Sequence, residues 1–370
     1  MLSRAHVAMS VGLLALAAIL LLILSPSPSP EPIPPIDYVP PRGYLCGRTS
    51  TAPIIDGQLD DPVWRDSPWS ENFVDIEGDS KPKPLFRTRV KMVWDDKALY
   101  IAAELDEPHV WANSTLHDSY IFQFDNDFEV FLDPDGDSHV YAELEMNALN
   151  TTWDLLLTKP YKNHGLAIDA WEIDGLKTAV RVNGTLNDPR DTDRGWTIEI
   201  AWPWKGLGQI APRTSPPQDG DQWRINFSRV EWQPDIVDGK TRPKPGTRED
   251  NWVWSPQGVV NMHQPETWGY LQFSSDPPGV GVYRPDRDAG IARHWLHKIY
   301  RAQHDYRRAR GRFARSLREL RLNAPVQIEA TSTHFEARLK LKRSGERERQ
   351  WQIRDDARIV ETTGRVEPAE

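Results

Sequence analysis

The chain has 370 residues and a formal net charge of −9, with 54 Asp and Glu against 45 Lys and Arg. That balance argues against nucleic acid as a partner, and a single cysteine, Cys46, excludes an internal disulfide. The length suits roughly two domains, and 31 prolines favour turns and strand edges over long helices.

Val7 to Leu24 is an uninterrupted uncharged run preceded by Arg4. It is just long enough to span a bilayer as a helix. Residues 1–25 therefore read as a membrane anchor or a signal peptide. A cleavable signal has a shorter apolar region and a small-residue cleavage site. Ala15-Leu16-Ala17 offers such a site, but the apolar run continues past it. Residues 26–43 are Pro-rich and read as an extended, semi-rigid spacer. The expectation is an exported protein, periplasmic or at the cell surface, tethered to the membrane by its N-terminal segment. Secretion after signal cleavage is the alternative. Cys46 lies too far beyond the apolar run to carry lipid and reads as a small buried side chain.

Residues 44–275 read as alternating strands and turns. "RTRVKMVWDDKALYIAAEL" contains two strands, and "NDFEVFLDPDGDSHVYAELEMNAL" two more. "GWTIEIAWPW", "QWRINFSRVEW" and "GYLQF" complete the series. Such a pattern predicts a mainly β fold, an antiparallel β-sandwich of immunoglobulin-like or jelly-roll type. Alternation also sorts faces. Phe128, Val130 and Leu132 oppose Asp127, Glu129 and Phe131, while Leu144, Met146 and Ala148 oppose Glu143, Glu145 and Asn147. If these strands are neighbours, Glu129, Glu145, Asn147 and Arg229 line one polar surface. That surface is either a solvated sheet face or a shallow groove.

Sixteen tryptophans bear on the choice. An indole offers a broad apolar face and one N–H donor, which suits the C–H face and hydroxyls of a sugar ring. Trp64, Trp196, Trp202 and Trp223 read as core by pattern. Trp153, Trp171, Trp232, Trp252 and Trp254 stand in or beside polar, loop-like sequence and are ligand candidates. Asp133, Asp135 and Asp137 alternate around Gly136, which suits either a Ca²⁺ loop or an acidic hairpin turn. Glu129 and Glu145 also raise the glycosidase reading, which needs two carboxyls at a set separation. Met146, Met262 and His263 raise heme ligation, although no CxxCH is present.

Several stretches occur in order: "PIIDGQLDDPVWRDSPWS", "VKMVWDDKALYIAAEL", "DNDFEVFLDPDGD", "RGWTIEIAWPWKGL" and "WGYLQF". Over about residues 49–273 the chain resembles the carbohydrate-binding module family 9-like proteins. The resemblance implies a DOMON-like β-sandwich and a non-catalytic sugar-binding module, often attached to xylanases and related glycoside hydrolases. It also implies that bound calcium is common. In the family pattern Glu129 matches the sugar-contacting Glu and Asn147 the conserved-pattern Asn. Gln123 stands where the first clamp Trp is expected, Glu145 where an Arg is expected, and Met262 or His263 near the second clamp Trp.

Beyond residue 285 the apolar and small residues Ile291, Trp295, Ile299, Ala302, Tyr306, Ala309, Phe313, Leu317 and Leu320 make one helix stripe opposite an Arg-rich face. Gly311 is placed to bend or interrupt this helix, and "VQIEA", "HFEARLKL" and "RQWQIRD" predict a small antiparallel sheet with Ser344-Gly345 as a turn. Residues 285–361 therefore read as a small α+β module. Either its helix docks on that sheet, or its basic face attaches to anionic lipid or acidic polymer.

The leading expectation is a membrane-tethered carbohydrate-binding protein that holds a glycan and works alongside glycoside hydrolases, without chemistry of its own. Its ligand candidates are Glu129, Glu145, Asn147, Gln123, Trp153, Trp171, Arg229 and Trp254, with calcium at Asp133, Asp135 and Asp137. An envelope structural or interaction protein, and a hydrolase of O-glycosyl bonds, are the alternatives.

Overall fold

The structure is a computed structural model that describes residues 38–211, 215–342 and 347–362. The expected apolar helix at 1–25 and most of the 26–43 spacer lie outside these residues. Among the described residues, no helix is long and apolar enough to cross a membrane.

The body consists of β1 (Gly43–Arg48), β2 (Val74–Asp75), β3 (Thr88–Trp94), β4 (Ala98–Asp106), β5 (Asp127–Asp133), β6 (Tyr141–Asn147), β7 (Thr152–Leu157), β8 (Ala167–Ile168), β9 (Lys177–Asn183), β10 (Gly195–Pro203), β11 (Gln222–Glu231), β12 (Pro234–Val237), β13 (Lys240–Pro243), β14 (Asp250–Val253) and β15 (Gly269–Ser274), with short helices α1 (Pro62–Asp66) and α2 (Trp204–Leu207). All but the β12–β13 hairpin join one sheet, in the order β8-β7-β6-β5-β11-β15-β1-β3-β4-β10-β9, with β14 pairing both β11 and β2. The sheet curls around its own core. Every pairing is antiparallel except those of β1, which runs parallel to β15 and to β3. The expected antiparallel sandwich is therefore a single curled sheet whose parallel seam is the first body strand.

The core follows from the alternation. Phe128, Val130 and Leu132 pack inside with Leu144, Met146, Ile225 and Phe227, and Trp196, Trp202 and Trp223 join the same cluster. Each such side chain contributes about 1.5–3 kcal/mol on burial. Trp64 packs separately, on the outer face of β3, β4 and β10. Its Nε1 donates to Glu199 Oε1 at 2.6 Å, and the other carboxylate oxygen accepts from Asp56 N at 3.0 Å and Gly57 N at 2.8 Å. A buried carboxylate thus pins the 54–64 segment over the sheet.

The C-terminal part contains α3 (Arg287–Arg310), α4 (Leu317–Leu320) and the antiparallel strands β16 (Val326–Ala330), β17 (Phe335–Leu341), β18 (Arg349–Arg354) and β19 (Ile359–Glu361). Asp286 caps α3 by accepting from Ala289 N at 3.0 Å, and Gly311, with φ of 73°, ends it. The left-handed backbone at Gly311 breaks the expected stripe into two helices. Trp295, Leu296, Ile299 and Tyr300 pack on Phe335, Leu339, Trp351 and Ile353, a core of its own. Strand β19 had no counterpart in the sequence reading, and the expected Ser344-Gly345 turn lies outside the described residues.

Candidate functional site

Register brings the acidic residues together. Asp127 lies opposite Asn147, Glu129 opposite Glu145, and Phe131 opposite Glu143. Trp153 on β7 lies opposite Glu145, and Ser228 on β11 opposite Glu129. Opposed residues share a face, so Glu129, Glu145, Asn147 and Trp153 stand together on the outer face of this half of the sheet.

That face is roofed rather than open. Asn147 Nδ2 donates to Ser114 O and to Asp125 Oδ2, each at 2.9 Å, while its Oδ1 accepts from Leu149 N at 3.0 Å and Thr151 N at 3.1 Å. Asp125 also accepts from Asn113 N at 2.8 Å and Ser114 N at 2.9 Å. Phe122 N donates to Glu145 Oε2 at 3.3 Å. Asn147 is therefore a loop anchor whose donors and acceptor are all engaged within the protein. The pinned segment turns other side chains outward. Tyr120 is 55% and Phe124 57% exposed, and Gln123 between them is exposed. Tyr120 meets the edge of the buried Trp153 at 4.7 Å between centroids. Trp232, half-buried, donates from Nε1 to Phe122 O at 2.8 Å. Tyr120 and Phe124 escaped the sequence reading; the aromatic-rich "YIFQFD" just before β5 was the signal.

Beneath the roof, Asp127, Glu129, Glu143 and Glu145 are all buried. Burial pushes Glu129 up to about 7. Burial, then neighbouring carboxylates, holds Asp127, Glu143 and Glu145 well above the usual carboxylate range.

Other candidates lie elsewhere. The register that sets Ser228 against Glu129 turns Arg229 to the opposite, inner face. There its guanidinium donates to Glu107 at 2.7 Å, Glu231 at 2.9 Å, Thr88 Oγ1 at 3.1 Å and Asp106 O at 2.9 Å. Trp171, Trp252 and Trp254 belong to the interior cluster. Trp171 donates to Gln209 at 2.7 Å and Trp254 to Glu71 at 3.3 Å. Their polar sequence neighbours hid that burial. Met146 faces the inner core while Met262 packs on the outer face, so the two do not converge. His263, pushed down to about 4 by burial, pairs with Tyr141 Oη at 2.9 Å.

In the Asp133–Asp137 turn one carboxylate oxygen each from Asp133, Asp135 and Asp137 lies within 4.8 Å of the other two, the grouping that their alternation around Gly136 led one to expect. Asp133 accepts from Gly136 N at 3.0 Å and Ser138 N at 2.9 Å, and Asp135 from Asp137 N at 3.2 Å. Asp137 accepts from His139 N at 2.8 Å and from Arg358 Nε at 2.7 Å. Arg293 of α3 donates to Gly136 O, and Ile359 N donates to Asp137 O at 3.0 Å. Two guanidiniums already supply positive charge at this loop. It is an Asx-type turn that docks the C-terminal helix and sheet onto the body. A separate surface group holds His117, Asp118 and Asp154, with His117 Nε2 3.2 Å from Glu172.

Together these features define a mainly β module, built on one curled sheet, with a candidate ligand surface on the outer face of β5, β6 and β7. Residues 55–275, more than half of the chain, match the family described as carbohydrate family 9 binding domain-like, and the chain belongs to that family. Endo-1,4-beta-xylanase A of Thermoanaerobacterium saccharolyticum is 27% identical over 157 residues, 42% of this chain. The chain spans only 11% of the length of that xylanase. A carbohydrate binding module family 9 of Caldicellulosiruptor kristjanssonii, solved in complex with cellotriose, is 17% identical with a TM-score of 0.41, covering 66% of this chain and all of that one. The same module in complex with glucose gives 17% identity and a TM-score of 0.40 over the same shares.

Proposed function

We propose that the protein is a non-catalytic carbohydrate-binding protein whose glycan surface is the rim of Tyr120, Gln123 and Phe124, with Trp232 beside it. The observation that carries this reading is the pair of exposed aromatic rings flanking an exposed carboxamide, on a loop held rigid by Asn147 and Asp125. Aromatic faces suit the C–H face of a sugar, and an amide both donates to and accepts from hydroxyls. Gln123 stands where the family pattern places its first clamp Trp, so Phe124, the next residue, is the natural replacement. Family membership supports sugar as the ligand class. Glu129 and Glu145 lie beneath the roof, where they support the loop rather than touch the glycan. The protein would be exported and held at the envelope by residues 1–25, where it presents glycan to partner hydrolases. The xylanase relative supports that setting.

Binding to a glycan array, followed by titration with the best oligosaccharide, tests the reading. Tyr120→Ala with Phe124→Ala should weaken binding at least tenfold while the thermal midpoint is kept. Unchanged affinity in the double variant would sink the rim as the site. Failure of wild type to bind any glycan, with and without calcium, would favour a structural role in the envelope.

A further inference from the structure

Among the described residues, arginines drawn into the fold have carboxylates beside them. Arg229 holds Glu107 and Glu231, Arg89 holds Glu104, and Arg349 holds Asp286 and Glu361. Arg48, Arg87, Arg312 and Arg338 are paired in the same way. The exceptions are Arg42, Arg224 and Arg293, and all three line one cavity. It encloses about 490 Å³ between α3, strands β11 and β15 and the 38–42 segment. Arg301, exposed on α3, lines it too and also lacks a carboxylate within 4.0 Å. Two carboxylates reach the same cavity, the exposed Asp79 and Glu266, and Lys162 already pairs with Glu266. In a chain of net charge −9 this is a local reversal of sign. Arg224 is 3% exposed and stacks on Tyr270, 4.1 Å from the ring centre. Its Nε and Nη2 donate to Pro265 O at 3.2 and 3.0 Å, but Nη1 has no partner. His297, also 3% exposed, leaves both ring nitrogens without one, and Glu266 Oε2 is sealed in the same state. A buried charge is costly unless it is paired. The roof over the cavity is held in place. Tyr270 N donates to Arg42 O at 2.9 Å, and Arg42 Nη1 to Asn72 O at 2.8 Å. Gly290 lets Tyr38 close onto α3, since a Cβ there would stand 2.3 Å from Tyr38 Oη.

We propose that this cavity binds a small ligand through a carboxylate or phosphate group. A guanidinium presents paired donors that match either group. The volume falls within the range of small-molecule sites, about 300–1,000 Å³. Tyr38, Pro40, Pro41, Pro256 and Tyr270 give the walls apolar surface for the rest of the ligand. A sugar acid and a sugar phosphate both have this form. The ligand would tie the C-terminal helix to the body, because Arg224 belongs to β11 whereas Arg293 and Arg301 belong to α3. Helix α3 and the 38–42 segment lie outside the stretch that matches the family, so the site does not follow from family membership. It shares no residue with the rim of Tyr120, Gln123 and Phe124, and the two fail independently.

The protein is titrated with glucuronate, glucose 6-phosphate and glucose at constant ionic strength, by isothermal calorimetry and by thermal unfolding. At least one charged sugar should bind at this cavity and raise the thermal midpoint, and glucose should do so far less; the better of the two charged sugars identifies the anionic group. Arg301→Gln, at an exposed position, should fold as wild type does and weaken the charged sugar about tenfold, the loss of one hydrogen bond to a charged group. Arg224→Gln should abolish that binding, and if it fails to fold, Arg301→Gln decides alone. The double variant Tyr120→Ala with Phe124→Ala should bind the charged sugar as wild type does. The assignment is overturned if neither charged sugar binds, if glucose binds as well as they do, or if Arg301→Gln leaves the affinity unchanged. Loss of the charged sugar in the Tyr120 and Phe124 double variant would also overturn it, because binding would then lie at the rim.

Discussion

Arg229 provides the sharpest test of the register. Its guanidinium is 1% exposed and holds Glu107 at 2.7 Å and Glu231 at 2.9 Å. The rings of Phe86 and Trp252 lie 5.7 and 5.2 Å away. Arg229→Met keeps most of the stem but leaves two buried carboxylates against each other with no cation between them, and Asn126 bonding Glu231 at 3.0 Å and Glu107 at 3.4 Å. Breaking a buried pair by removing one partner costs about 3–5 kcal/mol. The apolar slot between the rings accommodates Met well, so a loss near ~3 kcal/mol is expected at pH 7.5. Burial already holds Glu231 well above the usual carboxylate range against the pull of Arg229, so protonation at pH 5 should shrink the loss. Urea denaturation with linear extrapolation measures it. The triple change with Glu107→Gln and Glu231→Gln should return to within ~1 kcal/mol of wild type. A loss below ~1 kcal/mol for the single variant, or a triple variant no better than the single, would refute the buried-network account. Because Arg229 faces inward, glycan affinity of the folded single variant should be unchanged.

Two further outcomes follow from the same geometry. Burial pushes His297 of α3 down to about 3, against the pull of Glu266 and aided by Lys162, Arg301 and Arg293. A lowered folded pKa contributes stability that is complete above about 6.5 and lost as pH falls, so moving from pH 7 to pH 5 should cost about 2 kcal/mol through this residue. His297→Met should flatten the pH dependence of denaturation by that amount, and an unaltered slope would argue that the imidazole is hydrated. Asn147→Ala removes the ties to Ser114 and Asp125. It should cost about 2–4 kcal/mol and raise amide exchange across residues 113–125; unchanged protection there would show that the roof is held by other contacts.

Local pattern was enough for whatever depends on one strand at a time. A period of two separates Phe128, Val130 and Leu132 from Asp127 and Glu129 whatever the strand pairs with, and the structure keeps that division. Local pattern also marked Trp64, Trp196, Trp202 and Trp223 as buried, and each is at most 2% exposed. Gly311 was readable as an interruption because a left-handed residue stops a helix regardless of its surroundings.

Relations between distant segments were not readable in this way. Alternation divides β11 into two sets, but only its pairing with β5, about a hundred residues earlier, decides which set joins Glu129; Ser228 does and Arg229 does not. Trp171, Trp252 and Trp254 have polar neighbours in sequence and apolar neighbours in space. The pairing of Asp137 with Arg358 was not readable, because the two lie 221 residues apart. Whether an acidic face is wet or roofed depends on a loop folding over it, and here Asn147 and Asp125 hold that loop down. The amino-acid order determined strands, faces and family, because these follow from periodicity and local residue pattern. Tertiary packing alone decided which carboxylates are satisfied, which remain sealed without a partner, and which aromatic rings reach solvent, because each of those depends on contacts between segments far apart in the chain.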